Sequence, residues 1–143
     1  MNPKIDDPAE HVARIQSICD VYAQAQALHD RGAHVVCTDE KTGMQALERI
    51  AATMPVAPGQ VERQEFEYKR HGTLCLMANF EVATGRVFAS TIGDTRSEQD
   101  FARHIGKTID TDPEAEWVFV VDQLDTHKSE ALVRLVAKRC ALN

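Results

Sequence analysis

Two short apolar runs, His34-Val35-Val36-Cys37-Thr38 and Trp117-Val118-Phe119-Val120-Val121, constrain this chain most, because each runs straight into an aspartate, Asp39 and Asp122. The first run is β-branched and reads as a buried strand ending in charge at Asp39-Glu40-Lys41. The second is apolar without alternation, the pattern of a strand covered on both faces. Ahead of it, Ser97-Glu98-Gln99-Asp100 is a capping-box pattern. Phe101, Ile105 and Ile109 then follow four apart, which describes a helix with one apolar stripe, broken at Asp112-Pro113.

The remaining segments fit around these. Asp7 can cap a first helix, with Pro8 at its first position and Glu10 placed as a capping-box acid. Val12, Ile15, Cys19 and Tyr22 form its apolar face, and the helix should fade between Leu28 and Gly32. Residues 42–70 are less legible: Met54 to Gly59 is interrupted by two prolines and a glycine, and Glu62 to Arg70 reads as a charged surface run. Thr73 to Val82 and Arg86 to Ile92 form a β-hairpin turning at Thr84-Gly85. Leu132, Leu135, Val136 and Cys140 mark a last helix with Arg134, Lys138 and Arg139 outside. A strand-helix-strand passage implies a parallel pair and the hairpin adds antiparallel neighbours, so the expected fold is α/β, a mixed sheet flanked by helices. No repeat or low-complexity tract interrupts it.

Composition narrows the function classes. At 143 residues, 43% hydrophobic and 27% charged, the chain is expected to be one globular domain. No run approaches the roughly 18 apolar residues of a membrane span, and the polar start is no signal peptide, so the expected location is cytoplasmic. Cys19, Cys37, Cys75 and Cys140 form no C-x-x-C pair and read as reduced core thiols rather than a zinc site. Net charge is −6, concentrated in residues 76–126, while residues 127–143 are basic. A stand-alone DNA-binding domain is usually basic overall, so any contact with nucleic acid has to use local patches or a partner.

If the two apolar strands lie side by side and parallel, Asp39 and Asp122 emerge at one edge of the sheet, where open α/β sheets place their ligands. Two close carboxylates repel unless a proton or a cation lies between them. Hard oxygen donors favour Mg²⁺ or Mn²⁺, which suits phosphodiester chemistry. Aspartates at strand ends also serve as turn formers and helix caps, and both readings stand at this point.

Three segments share a pattern with a known family. Thr38-Asp39-Glu40-Lys41-Thr42 with Gln45 to Arg49 resembles the first catalytic motif of DDE transposases, the mariner-related enzymes of bacterial insertion sequences. Tyr68-Lys69-Arg70-His71-Gly72-Thr73 resembles the family's approach to its second strand, and Val120-Val121-Asp122 with Thr126-His127-Lys128 resembles its second catalytic motif. The resemblance implies a ribonuclease H-like fold and metal-dependent cleavage and strand transfer at transposon ends. It makes Asp39 and Asp122 two of three carboxylates for Mg²⁺ or Mn²⁺. It makes Lys41, Lys69, Arg70, His71, His127 and Lys128 candidates for contacting DNA phosphates or donating hydrogen bonds around the site. His11, His29, His34 and His104 read as surface or packing residues.

The match also has departures. The third carboxylate is expected on a helix beyond the second aspartate, whereas the sequence ends at Asn143. The expectation is therefore a C-terminally truncated catalytic domain over residues 33–143, lacking the last strand and helices, behind a connector helix over residues 1–32. Position 123 is Gln where the family usually has Asn, and Asp94, Asp125 and Glu130 are further acids without a pattern that favours them as ligands. Such a chain is expected to be inactive alone and to pair through its exposed last strand, as a homodimer or with a full-length transposase. The alternatives are a non-catalytic interaction protein that modulates a full-length relative, and a small phospho-acceptor or nucleotide-binding domain using Asp39 and Glu40. The last has no glycine-rich phosphate loop to support it.

Overall fold

The computed structural model describes residues 7–50, 57–59 and 68–141. The chain runs α1 (Pro8–His29), β1 (Ala33–Arg49), β2 (Tyr68–Glu81), β3 (Arg86–Gly93), α2 (Glu98–Ile109), β4 (Glu116–Val120), a 3₁₀ turn (Asp125–Lys128) and α3 (Glu130–Arg139). The strands form one mixed sheet in the order β3-β2-β1-β4, with β1–β2 and β2–β3 antiparallel and β1–β4 parallel. This is the α/β architecture expected above, consistent with a ribonuclease H-like fold.

Local chemistry sets the boundaries. Asp7 caps α1 by accepting from the N–H groups of Ala9 and Glu10, but Glu10 pairs with Arg14 instead of closing a capping box. Gly32, at φ +84, makes the turn into β1, and Gly85, at φ +69, makes the β2–β3 turn, conformations that a side chain would disfavour. Ser97 and Asp100 form the reciprocal box at the start of α2. Hydroxyls of Thr95 and Ser97 hold the Asp100 carboxyl well below its usual range.

The core lies between the sheet and the α2–α3 pair. Cys75, Met77, Phe101 and Ile105 are buried there, with Phe119, Val121, Leu132 and Leu135 against them. A polar chain crosses the same layer. Thr38 donates to Asn79 Oδ1 at 2.7 Å, Asn79 Nδ2 donates to the Thr108 hydroxyl at 2.8 Å, and His104 Nε2 donates to Asn79 Oδ1 at 3.1 Å. The Thr91 hydroxyl is 3.0 Å from His104 Nδ1, so each of these buried groups has a partner. Burial pushes the His104 imidazole down to about 4, leaving it neutral at pH 7.

Four expectations need correction. Asp39 does not end a strand: β1 continues to Arg49, because β2 pairs with it as far as Tyr68, across register shifts at Lys41/Met44 and Gln45/Leu47. Tyr68–Arg70 accordingly belong to β2, while most of the two irregular stretches, 54–56 and 62–67, lies outside the described residues. The supposed apolar face of α1 is open: Val12, Ile15 and Tyr22 are exposed, and only Ala25 is buried. β4 is half-buried rather than covered on both faces, being the outer strand beside β1. The four thiols are free, but only Cys75 is buried.

Candidate functional site

β1 and β4 align Ala33 to Cys37 with Glu116 to Val120, and two residues beyond the last pair stand Asp39 and Asp122. Alternation along β1 puts Asp39 on the face of Cys37, the face that meets α1 through the Tyr22 hydroxyl, 3.0 Å from the Cys37 thiol. Glu40 falls on the opposite face, that of Val36 and Thr38, over the core.

Asp39 is exposed, and its Oδ1 accepts from the N–H of Glu40 at 2.8 Å. Asp122 follows β4 in a tight turn, with Oδ1 accepting from the N–H of Leu124 at 3.0 Å. The same oxygen lies 2.7 Å from His127 Nδ1. His127 comes from the 3₁₀ turn, its ring set over Phe101 at a centroid distance of 4.0 Å. Its other nitrogen, Nε2, is 3.5 Å from Glu40 Oε1.

Burial separates the two acids that this imidazole bridges. Side-chain exposure is 66% at Asp122 but 4% at Glu40 and 1% at His127. Both Glu40 carboxylate oxygens and His127 Nε2 lack a hydrogen-bond partner, which makes their mutual approach the main compensation for burying Glu40. Burial and the neighbouring Glu40 charge push the Cys75 thiol up, so it stays protonated and inert. The chain Glu40–His127–Asp122 thus fixes one exposed carboxylate from a buried anchor. Sequence reasoning gave Glu40 a part only in the phospho-acceptor alternative, beside Asp39, and none in holding His127. The signal for it was available, since in a strand that continues past Asp39 the next residue must point inward.

The basic candidates divide into three groups. Lys41, Lys69, Arg70 and His71 are exposed along the β1–β2 ribbon, Lys41 at its base opposite Leu76 and the other three at its outer part, where His71 Nε2 meets Glu48 at 2.5 Å. Lys128 is exposed at the end of the 3₁₀ turn. His127 is enclosed, with both nitrogens turned to carboxylates, and so offers no open face to a phosphate; of its two expected roles the geometry leaves the hydrogen-bonding one. Asp94 and Asp125 are exposed, and Glu130 pairs with Arg134 along α3. Among the described residues, no third His, Cys, Asp or Glu joins Asp39 and Asp122 in a potential metal cluster.

The donor chemistry of the two aspartates fits a hard divalent cation. Each has Oδ1 committed to a local hydrogen bond and Oδ2 without a donor among the described residues, and both carboxylates are open to water that could complete an oxygen shell.

A family model described as DDE superfamily endonuclease matches residues 34–142. No curated protein and no solved structure matches the chain. Among the described residues no helix is long and apolar enough to cross a membrane.

Proposed function

The chain belongs to the DDE superfamily endonucleases, and on that premise we propose that it is the catalytic module of a transposase-type nuclease acting on DNA ends, of the mariner-related kind. Asp39 and Asp122 would hold Mg²⁺ or Mn²⁺, which supplies Lewis-acid polarisation of a phosphodiester. The observation that supports this reading is the parallel register of β1 and β4, with Asp39 and Asp122 each two residues beyond its last pair. His127 orients Asp122, and buried Glu40 anchors His127. Lys41, Lys69 and Arg70 supply cations for phosphate oxygens along the ribbon.

Among the described residues no third ligand joins Asp39 and Asp122, and two carboxylates hold a single ion weakly, so turnover is expected at background. The reading is therefore tested first on binding. Mn²⁺ should broaden amide signals around residues 39 and 122, and Asp39→Asn or Asp122→Asn should remove that broadening. Broadening centred elsewhere, or unchanged in both variants, would sink the assignment. Nicking of transposon-end DNA by the purified chain with Mn²⁺, lost on Asp39→Ala, would keep the nuclease and refute the inactivity.

A second reading, an interaction module that pairs with itself or with a full-length transposase, draws on open apolar surface. Val12 and Ile15 of α1 are 64% and 49% exposed, and β4 is an outer strand carrying Trp117 and Phe119. Light scattering should show a mass that rises with concentration. A mass fixed at one chain would remove self-pairing, and the absence of a co-eluting complex on mixing with a full-length transposase would remove the rest of this reading.

A further inference from the structure

At the start of β1, three side chains from three elements turn donor atoms toward one point. His29 is the last residue of α1, His34 the second of β1 and Glu81 the last of β2. His34 Nδ1 is 2.6 Å from Glu81 Oε1, and His29 Nδ1 is 3.6 Å from the same oxygen. The three donor atoms all lie within 4.8 Å of one another.

The atoms facing away from that point are held. His34 Nε2 is 3.3 Å from Asp112 Oδ2, and its ring stacks on Trp117 at 4.3 Å. The Thr84 hydroxyl donates to Glu81 Oε2, leaving Oε1 for the cluster. A carboxylate on the outer nitrogen of a histidine is the usual support of a metal-binding imidazole, because it fixes ring orientation and raises basicity. A cavity of about 240 Å³ lies against His34, Glu81 and Asp112, with Arg86 on its wall.

We propose that His29, His34 and Glu81 form a Zn²⁺ site of the two-histidine, one-carboxylate class, with water in the fourth position and Asp112 supporting His34. Two nitrogens and one oxygen suit a borderline transition metal and not Mg²⁺, which asks for an oxygen shell. Zinc bonds of about 2.0–2.2 Å place tetrahedral donors about 3.3 Å apart. The His29–Glu81 separation of 3.6 Å is near that value, and the His34–Glu81 contact of 2.6 Å must open by about 0.7 Å. Glu81 and Asp112 bring two negative charges to balance the ion. The site would fasten the end of α1, a helix that otherwise buries only Ala25, to the sheet.

The test is Zn²⁺ titration of the metal-stripped full chain, reading bound metal and the emission of Trp117, the one tryptophan present. The expected result is one ion per chain with a changed emission, because Trp117 stacks on a ligand. His29→Ala and Glu81→Gln should each weaken binding about tenfold or more, while Asp39→Asn and Cys37→Ser leave it unchanged. His29 closes a helix and is partly open, so His29→Ala is the variant most certain to fold, and far-UV circular dichroism checks it. Failure to bind Zn²⁺, equal binding by folded His29→Ala, or binding lost on Cys37→Ser would overturn the site.

Discussion

The two ends of the β1–β4 pairing carry the same device, a histidine between two carboxylates, with different surroundings. At one end His127 stands between Asp122 and Glu40; at the other His34 stands between Glu81 and Asp112. Each pairs one sheltered acid with one open acid, since side-chain exposure is 4% at Glu40 and 10% at Glu81 against 66% at Asp122 and 52% at Asp112. The difference lies in what faces the open side. Asp39 and Asp122 each stand two residues beyond the last β1–β4 pair, whereas the His34 end gains a second imidazole, His29. One motif therefore meets different neighbours at its two places, and burial of the bridging ring decides how much each end contributes to stability.

The largest effect that could break this contrast is at the enclosed end. His127→Ala leaves the buried Glu40 carboxyl without its neighbour, and should cost about 3–5 kcal/mol in urea unfolding. A Glu40→Leu/His127→Leu pair should recover most of that, because it removes the unpartnered buried group. A His127→Ala loss below that of His34→Ala would reverse the ranking.

Next in size is an acid effect that belongs to neither end and must be separated from both. His104 is neutral in the fold with a value of about 4, below the ordinary 6.5. The unfolded chain therefore takes up its proton first, and stability is full above pH 6.5 and falls as pH drops toward 4. The loss is roughly 3 kcal/mol. Denaturation at pH 7 and pH 4.5 should show it, and His104→Gln should remove that part of the pH dependence.

Smaller still is His34→Ala without metal, at about 1 kcal/mol, since its partners are partly screened by water. Burial alone would lower the His34 value, but hydrogen bonds to Glu81 and Asp112 outweigh it and raise it above 6.5. That contribution is whole below pH 6.5 and fades as pH rises through the elevated value. Glu81 is lowered below 4.5 against the opposing effect of burial, by the Thr84 hydroxyl and His34, so its share fades only in acid below 4.5. The His34→Ala cost should accordingly shrink in alkali. Thr84→Val, which frees only Glu81 Oε2, should cost about 0.5–1 kcal/mol by the same assay.

The sequence made the parallel pair, the hairpin and α2 legible because apolar spacing and capping residues act locally. Extension of β1 past Asp39 was not legible, since a charged strand is held by its partner ladder and the signals at Lys41 to Arg49 are those of a surface run. The α1 stripe misled for a related reason: periodicity shows that a face is apolar, not what covers it. Asp39 and Asp122 could be singled out because each directly follows an apolar run in the sequence. His29, His34 and Glu81 could not, because antiparallel pairing across β1 and β2, and not proximity in the chain, brings them together.

The ribbon that β1 and β2 make beyond β3 carries Lys69 and Arg70 opposite Glu48 and Leu47. Along β1 the distance from Asp39 to Glu48 is about 25 Å, some three times the roughly 8 Å over which dissolved salt damps a charge. Salt thus insulates the charges at the ribbon's tip from the two aspartates, and altering one group leaves the electrostatics of the other untouched.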